Sequence, residues 1–294
     1  MQQNPLVTVI CLCYNHADYV IESLDSVLQQ DYKSIELIIL DDCSTDESVA
    51  IIEQWLLSHP EIVFLKNKVN LGNTKTFNRG LQLAKGEYII DLAADDVLEK
   101  NCIALQLNQF ATSTHDNVGI VYGNVAMIDT NGKFIDTYFP VDTNGKLLEK
   151  RTSGDEYKRI LSGGKYSMCT VASMIKKEVY DKLQGYDENL AFEDLDFWIR
   201  ASRLYDFDFI DAIIFKKRVL HNSLGSHFYK KNSALNHSTY IILRKAFVLN
   251  KTKEEDAALQ KRVHHEIITT WQSKNYSLFL KNIGLRIAIA WRKY

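Results

Sequence analysis

Short strand-like runs alternate with amphipathic segments along the first hundred residues. Mainly apolar runs at Val7–Cys13, Ile35–Leu40 and Glu87–Leu92 are typical of buried strands. Between them, apolar side chains recur at helical spacing over Asp18–Gln30 and Thr74–Ala84. This alternation predicts an α/β fold, with a mostly parallel, Rossmann-like sheet flanked by helices.

A helix start signal follows the second of these strands. Residues 44–47 (STDE) have the spacing of a capping box, in which side-chain oxygens satisfy the first backbone N–H groups of a helix. We therefore expect a helix from Ser44 to Leu57. A further strand is predicted at Ile62–Leu65. It is the third in chain order, which makes Glu87–Leu92 the fourth.

The pattern changes after about residue 117, where the alternation gives way to longer strands and turns. Val118–Ile128 is typical of a strand, and the motif Asp-Thr-Asn-Gly then occurs at 129–132 and again at 142–145. Asn-Gly favours tight hairpin turns, so antiparallel strands or loops are expected here. A helix over Glu193–Tyr205 and a strand over Phe207–Phe215 follow.

The end of the chain is helical in pattern from Ala234 onward, with charged and apolar residues mixed. We therefore predict two parts: a binding and catalytic domain over residues 1–228, and a C-terminal α-helical extension over residues 229–294.

Composition narrows the class of protein. Of 294 residues, 46% are hydrophobic, and 35 basic residues nearly balance 37 acidic ones, for a formal net charge of -2. The apolar content argues against disorder. The near-zero charge argues against a nucleic-acid partner.

The cysteines and the N-terminal residues bear on the compartment. Five cysteines lack regular spacing, and residues 1–10 lack the pattern of a signal peptide. Both observations predict a reducing, cytoplasmic location. No run reaches the ~20 apolar residues of a membrane span.

Several motifs common in α/β proteins are absent. No G-x-G-x-x-G follows the first strand, and no G-x-S-x-G elbow is present. Residues 163–165 (GGK) are followed by Tyr166, where a phosphate loop needs Ser or Thr. The HE pair at 265–266 has Thr269 in place of the second histidine of a zinc protease. These absences argue against a dinucleotide oxidoreductase, a hydrolase with a nucleophile elbow, a phosphate-loop protein and a zinc protease.

Two acidic pairs follow predicted strands. Asp41-Asp42 comes after the second strand, and Asp95-Asp96 after the fourth. Ligands of open parallel sheets bind beyond the carboxyl ends of the strands, and paired carboxylates suit a divalent cation such as Mg²⁺ or Mn²⁺. The alternative is that these side chains cap the following helices.

A third acidic cluster lies at a predicted helix start. Glu193 or Asp194 is a candidate general base, while Asp196 is expected to cap the helix or face solvent. Capping is the alternative for Glu193 and Asp194. Further along, His221 is a candidate metal ligand or phosphate contact, with a structural role as the alternative.

Four segments form an ordered series along the chain. They are VTVICLCYNHADYVIESLDSVLQQDY, IELIILDDCSTDES, NLGNTKTFNRGLQLAKGEYIIDLAADD and LQGYDENLAFEDLDFWIR. This series resembles bacterial glycosyltransferase family 2 enzymes of the GT-A fold. The resemblance implies that residues 1–228 form a GT-A nucleotide-sugar-binding and catalytic domain.

The resemblance also implies roles for individual donor-site residues. Tyr14 and Asn15 match the family's nucleotide-contacting loop. Asp42 matches the residue that hydrogen-bonds the nucleobase, for which a uracil imide is suited. Asp95 and Asp96 match the DxD-type motif, with Asp96 the direct metal ligand and Asp95 nearer the ribose or sugar.

Further roles follow from the later motifs. Asp194 matches the catalytic base of the ED motif, with Glu193 beside it. Arg218 and His221 match an R-x-H motif that approaches the diphosphate or the metal, although here they are three residues apart instead of two.

Two other positions differ from the family pattern. Ala93 stands where many members have an additional acid. Phe77 stands where many have arginine, so Lys75 or Arg79 is expected to supply that charge.

The resemblance implies an inverting glycosyltransferase that moves a sugar from a nucleoside-diphosphate sugar, with a UDP-sugar favoured, to an acceptor hydroxyl. Its expected acceptor is a saccharide or lipid-linked saccharide in bacterial surface polysaccharide or glycolipid synthesis. Trp198 and Tyr186 are candidate sugar platforms. The alternatives are an inactive nucleotide-sugar-binding or scaffold protein, and a nucleotidyltransferase.

The last helix carries a separate prediction. Residues 276–294 are apolar and basic, a composition that suits an anionic membrane surface on the inner, cytoplasmic face. The alternative is that this helix packs on the rest of the chain or on another subunit, as in a homo-oligomer.

Overall fold

A computed structural model describes residues 4–149, 151, 153–164, 169–220 and 233–294. The chain divides into two compact units. The first spans residues 1–154, 169–186 and 205–219, and the second spans 155–168, 187–204 and 220–294. The predicted domain boundary at residue 228 lies outside the described residues, so the division into 1–228 and 229–294 stays a prediction.

The described part of the first unit contains one nine-stranded sheet. Its strands are β1 (Val7–Cys13), β2 (Ile35–Asp41), β3 (Val63–Lys66), β4 (Tyr88–Ala93), β5 (Val97–Leu98), β6 (Val118–Ile128), β7 (Phe134–Thr137), β8 (Ser173–Lys176) and β9 (Asp206–Arg218). Their order is β3-β2-β1-β4-β8-β6-β9-β5, and β7 pairs with β6.

Ten helices are formed by the described residues. They are α1 (Val20–Leu28), α2 (Ser48–Leu56), α3 (Asn73–Leu81), α4 (Cys102–Thr112), α5 (Tyr157–Ser162), α6 (Lys177–Leu183), α7 (Glu193–Ala201), α8 (Ala234–Leu249), α9 (Lys253–Gln272) and α10 (Tyr276–Ala290). Helices α5 and α7–α10 belong to the second unit.

The N-terminal half of the sheet is parallel. β1 pairs in parallel with β2 and β4, and β2 pairs with β3. All seven residues of β1 are buried, as expected for a central strand covered on both faces. Helix α3 approaches this half closely, because a Cβ on Gly80 would lie 2.7 Å from Ile10 Cγ2 and 2.8 Å from Leu40 Cδ1. The predicted α/β alternation is confirmed.

The other half of the sheet is mixed. β6 pairs in parallel with β9 but antiparallel with β8 and β7. The two predicted Asn-Gly turns are confirmed, with Gly132 at φ 81° and Gly145 at φ 76°, conformations that favour glycine. The first turn joins β6 to β7, and the second lies between the bridged residues Val141 and Leu147.

The predicted capping box at residues 44–47 is wrong. Helix α2 begins at Ser48, and its N-cap residue, Glu47, makes no capping hydrogen bond through its side chain. The Ser44 hydroxyl instead donates to Asp41 Oδ2 at 2.5 Å. At the start of the helix, Asp46 Oδ1 accepts a hydrogen bond from the Ser48 backbone N–H at 2.9 Å. The Ser44 hydroxyl is therefore bound to the Asp41 carboxylate and does not cap the helix.

The second unit is helical, as predicted for the end of the chain. Helix α9 begins with a capping box formed by Thr252 and Glu255. Helix α10 packs on α9 and α8, burying Leu278, Leu285 and Ile289. In the described part of the chain, no helix has the length and apolar character needed to cross a membrane.

Candidate active site

The carboxyl ends of β2, β1 and β4 lie side by side at one edge of the sheet. The Asp42 backbone N–H donates to Cys13 O at 2.9 Å, and the Ala94 N–H donates to Leu12 O at 2.9 Å. The end of β1 thus lies between the two acidic pairs. The structure brings both pairs to the edge where an open parallel sheet binds its ligands.

The loop after β1 is tied to the loop after β2. Asn15 has a left-handed backbone, φ 58°, which asparagine tolerates better than most residues. Its N–H donates to Ser44 Oγ at 2.9 Å, and its side-chain oxygen accepts from the Thr45 N–H at 2.8 Å. Tyr14 is exposed beside it. Nucleotide contact by Tyr14 and Asn15 stays a prediction.

The two members of the first acidic pair have different surroundings. Asp41 is buried and holds Ser44 through both carboxylate oxygens. Asp42 faces the loop before α3: its Oδ1 accepts from the Leu71 N–H and its Oδ2 from the Gly72 N–H, each at 2.8 Å. Asp41 is therefore a turn residue, while Asp42 is held in one orientation at the strand edge.

Asn67, which the sequence analysis did not single out, organises the surroundings of Asp42. Its amide nitrogen donates to Asp42 Oδ1 at 2.7 Å and to Thr76 Oγ1 at 2.8 Å. Its side-chain oxygen accepts from Arg79. The signal was available, because Asn67 directly follows β3, the next strand along the same edge.

Replacing Asn67 with alanine is expected to lower the free energy of unfolding by about 2 kcal/mol, since a hydrogen bond to a buried carboxylate is lost. Asp42 then holds fewer donors, so nucleotide affinity should fall as well. Urea unfolding followed by circular dichroism measures the first effect, and calorimetric titration the second. Asn70→Ala is the matched control, because Asn70 donates to the Asp42 backbone carbonyl, at 3.2 Å, and leaves the hydrogen bonds of the Asp42 carboxylate in place. Equal effects of the two variants contradict this role of Asn67.

The second acidic pair forms a partly buried turn. Asp96 is buried, and its Oδ1 accepts from the Arg218 N–H at 2.8 Å. Burial raises the pKa of Asp96 to about 7; the charge of Lys217 opposes that shift and the Asp95 carboxylate adds to it. Asp95 Oδ1 lies 3.8 Å from His16 Nδ1, another neighbour that the motifs did not indicate.

Arg218 clamps this turn. Its side chain is buried: Nε donates to Asp95 O at 3.0 Å, Nη1 to Asp129 O at 3.1 Å and Nη2 to Glu22 Oε2 at 2.5 Å. The guanidinium also lies 4.6 Å from the centre of the Tyr19 ring. This geometry supports a positioning role, and the diphosphate contact inferred for Arg218 stays a prediction.

The residues of this turn fit a divalent cation in part. Among the described residues, no group of three or more His, Cys, Asp and Glu side chains is arranged to hold a metal ion. Asp95 and Asp96 nevertheless offer the hard oxygen ligands that Mg²⁺ and Mn²⁺ prefer, and such sites usually include phosphate oxygens and water. His221, the third candidate ligand, lies outside the described residues.

Lys75 and Arg79, which were predicted to supply the positive charge that is missing at Phe77, have different surroundings. Phe77 is fully buried, with its ring 4.7 Å from that of Tyr186, so an aromatic core contact occupies this position. Arg79 contacts Asn67, as described, while Lys75 is exposed on α3. Contact of either cation with a nucleotide stays a prediction.

In the second unit, Glu193 and Asp194 are the first two residues of α7, and both are half-buried. Asp194 Oδ1 accepts from the Leu195 N–H at 2.7 Å. Both carboxylates lie in the first turn of α7, at the positive end of the helix dipole. An ionised carboxylate can accept a proton, so the chemistry suits a general base, but the assignment stays a prediction.

Asp196 neither faces solvent nor caps α7, so that prediction is wrong. Its side chain is 1% exposed; Oδ2 accepts from Arg200 Nε at 2.6 Å and Oδ1 from Lys245 Nζ at 2.9 Å. Lys245 also pairs with Asp187. Asp196 therefore links α7 to α8 through an ion pair whose carboxylate is buried and whose lysine is partly exposed.

The aromatic side chains predicted as sugar platforms are core residues. Trp198 is 2% exposed and Tyr186 is 7% exposed. The Tyr186 ring packs on Phe77 and Tyr180, and its hydroxyl lies 3.4 Å from Asp91 Oδ2. Burial of this extent does not support a platform role for either ring.

Comparison with known proteins agrees with the motif series. The chain belongs to glycosyl transferase family 2, a family of transferases whose family model matches residues 8–184. An uncharacterized glycosyltransferase of Rickettsia bellii is 32% identical over 254 residues. That alignment covers 85% of this chain but only 34% of the relative.

Two solved structures share the fold at low sequence identity. S. aureus TarS, residues 1–349 in complex with UDP-GlcNAc, is 17% identical with a TM-score of 0.68, over 97% of this chain and 79% of TarS. A mannosyltransferase from Pyrobaculum calidifontis, in complex with GDP-Man and Mn²⁺, is 17% identical with a TM-score of 0.64, over 100% and 77% of the two chains. These likenesses confirm the predicted GT-A type fold.

Proposed function

We propose that this protein transfers a sugar from a nucleoside-diphosphate sugar to an acceptor hydroxyl, with inversion at the anomeric carbon. The observation that carries the proposal is the placement of Asp42 and Asp96 on either side of the end of β1, in a chain of glycosyl transferase family 2. An edge of this kind suits a ligand that has a base at one end and a diphosphate at the other.

Asp42 is proposed to recognise the nucleobase. Its carboxylate is held by the Leu71 and Gly72 N–H groups, which fixes its direction before any ligand arrives. A fixed carboxylate acceptor pairs with an imide N–H, such as that of uracil, so a UDP-sugar is the favoured donor. TarS, which shares the fold, was solved with UDP-GlcNAc, and this supports a uridine nucleotide.

Asp96 and Asp95 are proposed to hold a divalent cation together with the donor diphosphate. The fold neighbour solved with GDP-Man and Mn²⁺ supports this combination. When bound, such a cation offsets the negative charge that develops on the departing nucleoside diphosphate. Arg218 keeps the turn in place through Asp95 O and Asp96 Oδ1.

Asp194 is proposed to take the proton from the acceptor hydroxyl. The acceptor oxygen then forms a bond to the anomeric carbon while the bond from that carbon to the diphosphate oxygen breaks, which inverts the configuration. The products are the glycosylated acceptor and the nucleoside diphosphate. The proposed acceptors are saccharides or lipid-linked saccharides of bacterial surface polysaccharide or glycolipid synthesis.

A donor panel tests this function. We expect one UDP-sugar, in the presence of Mn²⁺, to raise the melting temperature more than GDP- and dTDP-sugars do, because a ligand of the native state stabilises it. Turnover of that donor with saccharide acceptors should release nucleoside diphosphate. Binding of a donor without turnover on any acceptor favours a scaffold protein, and release of pyrophosphate indicates a nucleotidyltransferase.

A further inference from the structure

Helix α10 has two apolar faces, of which the structure covers one. Leu278, Asn282, Leu285 and Ile289 are buried against the other helices of the second unit. Their spacing of three and four residues defines an inward face. This contact accounts for the packing role expected of the helix, but it leaves the opposite face unexplained.

The opposite face carries large apolar side chains in the open. Tyr276, Leu280, Ile287 and Trp291 are 54%, 66%, 54% and 82% exposed. At about 100° per residue they fall on one narrow stripe, together with Gly284. A stripe of this kind along a whole helix is more than the scattered apolar residues of an ordinary protein surface. We call it the α10 ridge.

The α10 ridge extends onto the end of α9. Trp271 is 57% exposed, and its ring lies 5.5 Å from that of Tyr276 and 5.1 Å from that of Phe279. Trp and Tyr rings therefore stand at one end of the ridge and Trp291 at the other. These side chains combine an apolar body with a polar N–H or O–H, which suits the boundary between lipid and water.

The segment that carries the ridge is basic, although Arg292 Nη1 also lies 3.5 Å from Asp256 Oδ1 on α9. Residues 273–294 contain five basic side chains and no acidic one. They are Lys274, Lys281, Arg286, Arg292 and Lys293. Arg292 is engaged, donating to Phe247 O at 2.7 Å, and Arg286 lies 3.0 Å from His264 Nδ1. By helical spacing, Lys281 and Arg286 flank the ridge on its two sides.

We propose that the α10 ridge docks on an anionic lipid bilayer, with its apolar side chains at the boundary of headgroups and acyl chains. An amphipathic helix that lies in this plane has apolar and aromatic residues on one face and basic residues beside them, as here. Each basic side chain near such a surface adds to the attraction, so binding depends on the anionic lipid fraction. Protein interfaces, in contrast, are depleted in lysine, so a second copy of the chain is a poorer match to this face.

Vesicle sedimentation with the full chain tests the proposal. We expect binding to vesicles of phosphatidylcholine with phosphatidylglycerol to be at least about tenfold tighter than to phosphatidylcholine alone, and to weaken as salt rises. The double variant Leu280→Ser, Trp291→Ser should lose about tenfold or more of this affinity. Leu57→Ser is the matched control, because Leu57 is 74% exposed in the first unit and should be dispensable for binding.

Three results overturn the proposal. The first is no binding to anionic vesicles by a protein whose melting temperature shows that it is folded. The second is equal loss of binding in the control. The third is a dimer in sedimentation velocity that the ridge variants dissociate while vesicles remain unbound, which assigns the face to a second copy. Vesicle binding requires no sugar transfer, so its outcome is independent of the donor panel.

Discussion

Replacing Asp194 with asparagine is expected to lower the rate of sugar transfer by a factor of about 10²–10⁴, the usual contribution of a general base. Asparagine has nearly the shape of aspartate, and its side-chain oxygen can still accept from the Leu195 N–H that Asp194 Oδ1 now engages. It cannot take up a proton at neutral pH. The rate should therefore fall while the fold and the donor affinity are retained.

Glu193→Gln provides the matched control for Asp194→Asn, because it removes the neighbouring carboxylate from the same helix turn. Single-turnover kinetics with the preferred donor give the rate of transfer, and calorimetric titration gives donor affinity. If Glu193→Gln is inactive and Asp194→Asn is not, Glu193 is the base. Full activity of both variants shows that neither Glu193 nor Asp194 is the general base.

Replacing Asp96 with asparagine is expected to have opposite effects on stability and on function. Since the pKa of Asp96 in the folded state is about 7, the folded protein keeps a proton that the unfolded chain loses near its ordinary pKa of about 4. Wild-type stability should therefore fall as pH rises from about 4 to about 7. Asparagine removes this penalty, so at pH 8 the variant should melt higher by roughly 5 °C or more.

The same variant should lose its response to metal. Mn²⁺ is expected to raise the melting temperature of the wild type at pH 8, but not that of Asp96→Asn, and transfer should fall by about 10² or more because leaving-group charge is no longer offset. Thermal denaturation at pH 5 and pH 8, with and without Mn²⁺, measures both effects. Asp194→Asn should keep the Mn²⁺ response. An Asp96→Asn variant with the wild-type pH profile contradicts the assignment.

The sequence predicted the parts of the fold that depend on local patterning. β1 is buried throughout, and β2 and β4 are mainly apolar and partly buried, so their hydrophobic pattern was sufficient. The rule that ligands bind at strand ends predicted that Asp42 and Asp96 lie at one edge of the sheet, as they do; their roles stay predictions. It would also have located Asn67 had it been applied to β3.

Other features depend on partners that are distant in sequence. Lys245 pairs with Asp196 across 49 residues, and nothing in the sequence around Asp196 distinguishes a buried carboxylate from an exposed one. Ser44 had a suitable spacing for a helix cap, but Asp41 competes for its hydroxyl. β8 has only four residues, too few for periodicity to indicate a strand.

The contacts of Arg218 also determine when the proposed donor site can form during synthesis. The pair Arg218–Glu22 joins residues 196 positions apart, and Arg218 Nε meets Asp95 O across 123 positions. A nascent chain acquires these contacts only after residue 218 has left the ribosome, although β1, β2 and β4 have emerged long before. Chains that stop short of β9 would thus carry the proposed nucleobase end of the site without Arg218 to fix the turn at Asp95 and Asp96.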